Sequence, residues 1–456
     1  MSTDPASSNS SRILIIGSGI FGASTAYHLS QTHLDPSLIT IIDRTPFPPQ
    51  HAASTDINKI VRADYNSRFY MNLAYEALEA WKRSPDLQGE DGEKFFHQNG
   101  WLVLSHTKGD MENANRIRQT LKERASDEMR VLDKSKEVLN NDLLRDAVWE
   151  EGDVSASYFN LDAGWADAGD AITKLIKIAV SRGVNYKCGD VETLILDDFG
   201  TRGARTKDGK TYEADKVVLA TGAWTSHVLS PTEDQINLPE EERVETQLTA
   251  AAVCVAHYKL DESEYNRLKN APVVCNGNLG EIIPPPRRSQ LLKFTNAKTV
   301  TNTTTSSTGH RISAPPDQDQ TLVPDKIKQE TLTLMIRKTM PQLFKQPVHH
   351  WRLCWDAVTP QQDFLIAQHP HSRLRNLYLA TGGSFHSWKF LPIIGKYVVN
   401  VLNGLSNGEE KDKRWAWKSA GGDGERTGRG AHEAVVPTRE LRDLRDAEKS
   451  FQASVA

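Results

Sequence analysis

Apolar residues along this chain follow two rhythms. Short unbroken runs, Ile13 to Ile16 and the SLITIIDR of 37–44, have the pattern of strands buried on both faces. Between them Ala23 to Ser30 has helical spacing, so the first 44 residues hold one complete βαβ unit. RFYMNLAYEALEAWKR (68–83) and GDAITKLIKIAVSRGV (169–184) repeat their apolar positions at the helical period and predict amphipathic helices. KVVLATGAWTS (216–226) predicts a buried strand entering a glycine turn. NLYLATGGSFHSWKFLPIIGKYVVNVLNG (376–404) predicts strand, glycine turn and helix. Charge dominates 107–148, which is expected to be helical and solvated. The Thr, Ser and Pro of 300–320 predict a loop. After Asn407 the composition turns to Gly, Lys, Glu and Arg, and 407–456 is expected to be an extended, poorly packed tail. No internal repeat is visible.

Bulk properties narrow the class. The 456 residues amount to two or three domains at roughly 100–200 residues each. With 38% hydrophobic and 25% charged residues, the chain can bury a large core. A net charge of −4 without a basic face argues against nucleic acid as a partner. No apolar run approaches the ~20 residues needed to span a bilayer. The polar start, MSTDPASSNSSR, lacks the layout of a signal peptide, and 1–11 is expected to be disordered. Cys188, Cys254, Cys275 and Cys354 match no zinc spacing and are too few for a disulfide framework. An intracellular address, cytoplasmic or peroxisomal, is the expectation. The final Ser-Val-Ala is not a peroxisomal signal of the Ser-Lys-Leu type. No metal site is expected.

Gly17-Ser18-Gly19-Ile20-Phe21-Gly22 is a GxGxxG between a predicted buried strand and a helix, with Asp43 ending the next strand. Gly17 suits the tight turn, Gly19 lets a pyrophosphate approach the backbone, and Gly22 lets helix and strand pack closely. The helix N-terminus offers free N–H groups to phosphate. Asp43 can accept from ribose hydroxyls and would repel a 2′-phosphate. The N-terminal position of the motif, with two later strand–glycine turns at LATGAW (219–224) and LATGGS (379–384), favours FAD over NAD.

Three further segments make the pattern specific: ASTDINKIVRADY (53–65), RLCWDAVTPQQDFLI (352–366) and ATGGSFHSWKFLPIIGKYVV (380–399). With the glycine turn they resemble the sarcosine oxidase-like branch of the D-amino-acid-oxidase superfamily over most of 11–405. TDINKIVRADY and GGSFHSWKFLP are most similar to fungal saccharopine and pipecolate oxidases. Fructosyl amino acid oxidases are similar around NKI, but typically carry Ser-Gly-His where this chain has Ser384-Phe385-His386.

The resemblance implies an α/β fold: a glutathione-reductase-type FAD-binding Rossmann domain with an inserted substrate domain on a mixed antiparallel sheet. The expected division gives 12–90, 150–235 and 351–406 to the FAD domain, and 91–149 and 236–350 to the substrate domain. It implies FAD joined through sulfur to Cys354, with Arg352 as the neighbouring positive charge that favours a thiolate. Other implied FAD contacts are Arg44, Ser54, Asn58, Lys59, Val191, Thr221, Gly222, Trp224, Gly382, Gly383 and Phe385, beside residues 17–22 and Asp43. Arg62 and Lys389 are expected to clamp a substrate carboxylate. Lys293 is expected beside the flavin as the charge that activates oxygen. His386 is expected to meet substrate or flavin, and Lys389 to lie close to both. Trp355, Trp388 and Phe385 are candidate pocket walls.

The expected activity is oxidation of a secondary amine, a cyclic or N-substituted α-amino acid of the saccharopine, pipecolate or sarcosine kind. The imine product hydrolyses and oxygen becomes hydrogen peroxide. A monomer acting on a small amine is the implied state. Deglycation of fructosyl amino acids, and imine trapping in a biosynthetic tailoring step, remain alternatives. A flavin-binding module without turnover would need none of Cys354, Lys293 and Lys389.

Overall fold

The all-apolar run Ile13–Ile16 is buried on both faces because it sits inside a six-stranded sheet. The computed structural model describes residues 10–124, 131–132, 141–148, 155–317, 319–419 and 439–455. Ile13–Ile16 pairs in parallel with Ile39–Asp43 on one side and Lys216–Leu219 on the other. Asn185–Cys188 extends the sheet beyond Ile39–Asp43. Leu377–Thr381 and the antiparallel Leu365–Gln368 close its other edge. Parallel neighbours require crossovers, and the helix Ile20–Thr32 supplies the first. It packs against Ile394–Leu402, where a Cβ on Gly395 would stand 2.1 Å from the Ser24 carbonyl oxygen. Arg68–Arg83 and Ala168–Ser181 bury their apolar stripes in the same core.

A second, eight-stranded sheet carries the other half of the molecule. Its order begins His350–Val358, Thr249–Lys259, Leu291–Thr301, Gly280–Ile283, Val273–Asn276, then Trp101–Ser105. These pairs are antiparallel except Val273–Asn276 with Trp101–Ser105, so the sheet is mixed. Among the described residues no helix is long and apolar enough to cross a membrane.

Three expectations change. First, His350–Val358, assigned to the FAD domain, is an edge strand of the large sheet, and Ser155–Asn160 also pairs there. Backbone pairing overrides sequence proximity, so Cys354 is carried by the eight-stranded sheet. Second, 300–320 contains a short hairpin, Thr303–Thr305 with Arg311–Ser313. Third, the stretch after 407 is not wholly extended. Glu409–Trp415 is a helix, and Trp415 is 1% exposed among Phe69, Phe364 and Tyr397. Leu441–Val455 is also helical, with Leu441 buried. Trp415, with Trp417 packed 4.4 Å from the His369 ring, docks a segment whose average composition is polar. The rest of that tail, 420–438, and residues 1–9 lie outside the described residues, as do parts of 107–148, of which Lys108–Arg124 is the predicted helix. Trp415→Ala is expected to lower unfolding stability by about 3–5 kcal/mol, read from denaturant midpoints. A loss under ~1 kcal/mol would mean that the docking is incidental.

Candidate functional site

The chain's first turn builds one end of a long cleft. Gly17 has φ +98°, and a Cβ there would lie 2.5 Å from the Ala220 carbonyl oxygen. A Cβ on Gly22 would lie 1.9 Å from the Gly17 carbonyl oxygen, so helix and turn touch only because both residues are glycine. Gly19 differs. Its nearest neighbour would be Ser54 Oγ at 3.2 Å, which leaves its open side to the cleft. Asp43 is fixed by Ser18, whose backbone N–H and hydroxyl donate to Oδ2 at 2.7 and 2.9 Å. Ser54 Oγ accepts from Ile20 N at the helix entrance.

Around this turn the cleft is lined by Gly17, Gly19, Ile20, Phe21, Asp43, Arg44, Ser54, Val191, Thr221, Gly222 and Trp224. The Arg44 guanidinium lies 4.5 Å from the Trp224 ring centre. Ser18 and Gly22 shape the turn from behind. Ile20, Ala53, Ser54 and Asp356 line both this cleft and a second cavity of about 800 Å³, so the two are continuous. An elongated group with phosphates at Gly19 and a ring system farther in fits this shape.

Cys354 faces the second cavity. Its neighbour is not Arg352, whose guanidinium is spent on Gln320 Oε1 and the carbonyls of Thr55 and Ala52. Lys59 takes the expected place, with Nζ 3.7 Å from Cys354 Sγ. Lys59 Nζ also meets Asp56 Oδ2 at 3.0 Å, and Lys293 Nζ meets the same oxygen at 2.5 Å. Lys293 further donates to the Asn58 carbonyl at 3.0 Å, and His257 Nε2 stands 3.5 Å from Asp56 Oδ1.

The charges in this cluster set one another. Burial raises the Asp56 carboxyl, but the Lys293 and Lys59 ammoniums outweigh it and hold the acid well below its usual range. Burial lowers Lys59, yet the Cys354 sulfur and Asp56 raise it above an ordinary lysine. Lys293 goes the other way: burial, with Lys59 adding repulsion, brings it down to about 8 despite Asp56. It is 2% exposed, not a surface strand lysine.

The same cavity is lined by Arg62 and Lys389, both buried. Arg62 donates to the Asp64 carbonyl and sits over the rings of Tyr65 and Trp101. Lys389 Nζ donates to the Tyr65 hydroxyl at 2.9 Å and the His386 carbonyl at 2.7 Å. His386 Nδ1 lies 3.0 Å from the Tyr65 hydroxyl and Nε2 2.9 Å from the Gln362 carbonyl. A carbonyl only accepts, so Nε2 carries the proton and Nδ1 accepts from Tyr65. His386 therefore orients Tyr65, which in turn orients Lys389.

The glycine turn before this group works through Asp356. Ser384 and Phe385 have φ +48° and +59°, unusual for residues with a Cβ. Asp356 Oδ2 accepts from Phe385 N at 2.7 Å and Oδ1 from Ala357 N at 2.8 Å. Gly383 leaves room for that carboxylate, since a Cβ would lie 2.9 Å from its oxygens. Gly382 has φ +76°. Neither glycine is among the residues that line these two cavities; both set the path that brings Phe385, His386, Trp388 and Lys389 to the wall.

The Asn58 side chain is buried, donates to the Pro284 carbonyl at 2.8 Å, and is not among the residues that line the two cavities. The strand Asn58–Val61 turns it inward and leaves Lys59 toward the sulfur. Asp56, Tyr65 and Asp356 were not singled out from sequence. All three lie inside the quoted segments, beside residues that were.

Comparison with known proteins follows the same lines. A family model described as FAD dependent oxidoreductase (DAO) matches residues 12–401. L-saccharopine oxidase of Schizosaccharomyces pombe is 27% identical, with 89% of this chain and 93% of that protein aligned. Human peroxisomal sarcosine oxidase is 24% identical over 85% and 91%. Among solved structures, the fructosamine oxidase Amadoriase II from Aspergillus fumigatus in complex with FSA superposes at TM-score 0.79 with 26% identity, covering 95% and 96% of the two chains.

Proposed function

The chain belongs to the FAD-dependent oxidoreductase (DAO) family, and from that premise we propose that it is an oxidase of a secondary amine bearing an α-carboxylate, with oxygen as final acceptor. FAD, when bound, supplies the two-electron acceptor for the carbon beside the amine nitrogen. The turn at Gly17–Gly22 and Asp43 would hold its phosphates and ribose. Cys354 would be its covalent anchor, with the Lys59 ammonium 3.7 Å from its sulfur.

The observation that carries the reading is the composition of one cavity. The Cys354, Lys59 and Lys293 cluster and the Arg62 and Lys389 pair line the same space. A buried arginine and lysine together suit an anionic carboxylate, the first by two parallel hydrogen bonds and the second as a point charge. Holding the carboxylate there would orient the rest of the amine within the cavity, which is catalysis by orientation. Lys293 would supply a positive charge in the same cavity for the reduction of oxygen. The names of the relatives, saccharopine and sarcosine oxidases, agree with an amine carrying a carboxylate. Likeness to the fructosamine oxidase over nearly the whole chain favours a second reading, oxidation of a fructosyl amine.

The test is peroxide release from an N-alkyl α-amino acid, its decarboxylated amine, and fructosyl-valine. The amino acid is expected to react and the bare amine to fail. Lys389→Met is expected to raise KM for the amino acid by about 10²-fold, the loss of a charged hydrogen bond from a buried site. Equal turnover of acid and bare amine would remove the carboxylate clamp. Turnover of fructosyl-valine alone would establish the second reading.

A further inference from the structure

One row of side chains crosses the eight-stranded sheet to the Asp56 cluster. His257, on the strand Thr249–Lys259, stands directly opposite Lys293 on one neighbouring strand and opposite His350 on the other. Directly opposed residues of antiparallel strands share a face of the sheet. The row therefore runs His350, His257, Lys293, and its inner end lines the cavity. Its outer end lies on His350–Val358, the edge strand, where His350 is half-buried.

His257 is 3% exposed, and among the described residues neither of its ring nitrogens completes a hydrogen bond. Buried polar atoms left without partners are costly, and native structures keep few of them. The ring nevertheless faces a receiver: Nε2 stands 3.5 Å from Asp56 Oδ1. The other oxygen of that carboxylate, Oδ2, holds Lys293 Nζ at 2.5 Å. One carboxylate thus separates the imidazole from the ammonium. Lys293 spends a second N–H on the Asn58 carbonyl at 3.0 Å, which leaves the third for the cavity. On the outer side the His257 and His350 rings are 26° from parallel with centres 5.7 Å apart, within the reach of one bridging water.

The charges along the row favour passage of a proton over its storage. The groups that face it are Asp56 with its two lysines, Lys59 and Lys293, on the inner side, and Arg352 and His349 on the strand and turn that carry His350. Burial, then repulsion by His257, Arg352 and His349, lowers His350 below an ordinary histidine despite the pull of Asp56, so at neutral pH it is uncharged and open to a proton. Asp56 is held ionised by the two ammoniums and accepts through either oxygen.

We propose that His350 and His257 return a proton from water to Lys293, through Asp56, each time a peroxide is made. This rests on the oxidase reading and adds to it. The net reaction moves the electron pair of the amine C–H bond to oxygen, by way of bound FAD, together with two protons. One hydrogen leaves the carbon with that pair. The amine nitrogen loses the other proton to water as the C=N bond forms, and oxygen has to be given one in its place. Lys293 passes a proton from Nζ to the hydroperoxide anion and is left as a neutral amine. His257 Nε2–H restores it across the Asp56 carboxylate while Nδ1 takes a proton from the His350 side, so no charge accumulates. An imidazole suits this step because it accepts at one nitrogen and donates from the other. His257 is not among the residues that line the cavity, and it acts through Lys293.

The test reads protons separately from turnover. Holoenzyme is reduced anaerobically by light, with EDTA as electron donor and no amine present, then mixed with oxygen in weakly buffered solution containing a pH-indicator dye. In the wild type, proton uptake and the return of the flavin colour are expected to coincide. In His257→Gln, which keeps a polar side chain of similar size but cannot relay a proton, the colour should return at close to the wild-type rate in the first turnover while proton uptake lags by about tenfold or more. His257→Ala should lag likewise, and added imidazole should restore its uptake but not that of His257→Gln. His350→Gln changes a half-buried edge position, retains a folded yellow protein, and should lag several-fold. Uptake in step with colour in His257→Gln, or in His350→Gln where the His257 variants do not fold, overturns the relay. A lag in His257→Ala that imidazole does not relieve assigns the defect to packing and overturns it too. Reduction by light needs no substrate, so a lag in variants of an enzyme that no amine bleaches keeps the relay and refutes the amine reading. Bleaching by an amine with no lag in the variants does the reverse.

Discussion

Acid-precipitated wild-type protein is expected to stay yellow, and Cys354→Ala to release all of its flavin into the supernatant. Cys354 is 3% exposed, on a strand that delivers its sulfur to the continuous cleft, with the Lys59 ammonium 3.7 Å away. Removing one sulfur from a buried edge-strand site costs little packing, so the variant should still fold and bind FAD without covalent attachment. Lys59→Met tests the cause. It keeps the volume of the side chain but removes the cation beside the sulfur, so the covalent fraction should fall and form more slowly. A colourless wild-type pellet would return Cys354 to the role of a small buried hydrophobe.

Lys293→Met is expected to slow reaction of the reduced enzyme with oxygen by about 10²–10³, the scale for removing one preorganised electrostatic contact. Reduction by substrate should fall far less, which separates this lysine from the carboxylate clamp. The pH dependence carries the same signature. Burial brings Lys293 down to about 8, so its charge is complete below that pH and lost above it. Oxygen reactivity should be flat at neutral pH and decline as pH rises through about 8, and the decline should be absent in Lys293→Met. Stability moves in the opposite sense. Between about 8 and the ordinary lysine value, the unfolded chain binds the extra proton, so Lys293 makes the folded state more stable as pH rises through that window. Asp56, held well below its usual range, contributes stability above the ordinary carboxylate value that is lost on acidification. An oxygen reaction unchanged in Lys293→Met would assign oxygen activation to another group.

What could be seen before the structure was the part of the molecule whose physics is local. Gly17, Gly19 and Gly22 announce themselves by spacing, because a turn between strand and helix permits few alternatives. The helix 68–83 was visible end to end from its apolar period. Non-local pairing was not visible. Arg352 lies closer than Lys59 to Cys354 in sequence, yet strand pairing and two backbone carbonyls draw its guanidinium away, while a different sheet brings Lys59 to the sulfur. The same limit hid Asp56, whose significance comes from two lysines 3 and 237 residues distant. Composition misled at the C-terminal end. Averaged polarity hid Trp415, which docks a helix, and Arg439, which enters the cavity. His386 was named for the motif it occupies. The geometry places it on the cavity wall with Lys389 and engages both ring nitrogens, with Tyr65 and the Gln362 carbonyl.

The most direct test of the account is one cuvette of purified yellow protein, followed anaerobically at the flavin absorbance and then opened to air. Addition of a secondary amine with an α-carboxylate, from a panel of saccharopine, pipecolate, sarcosine and fructosyl-valine, should bleach the flavin. Air should restore the colour with one peroxide per amine oxidised. A flavin that no member of the panel bleaches, in protein that binds FAD fully, would contradict the claim that this cavity oxidises such amines.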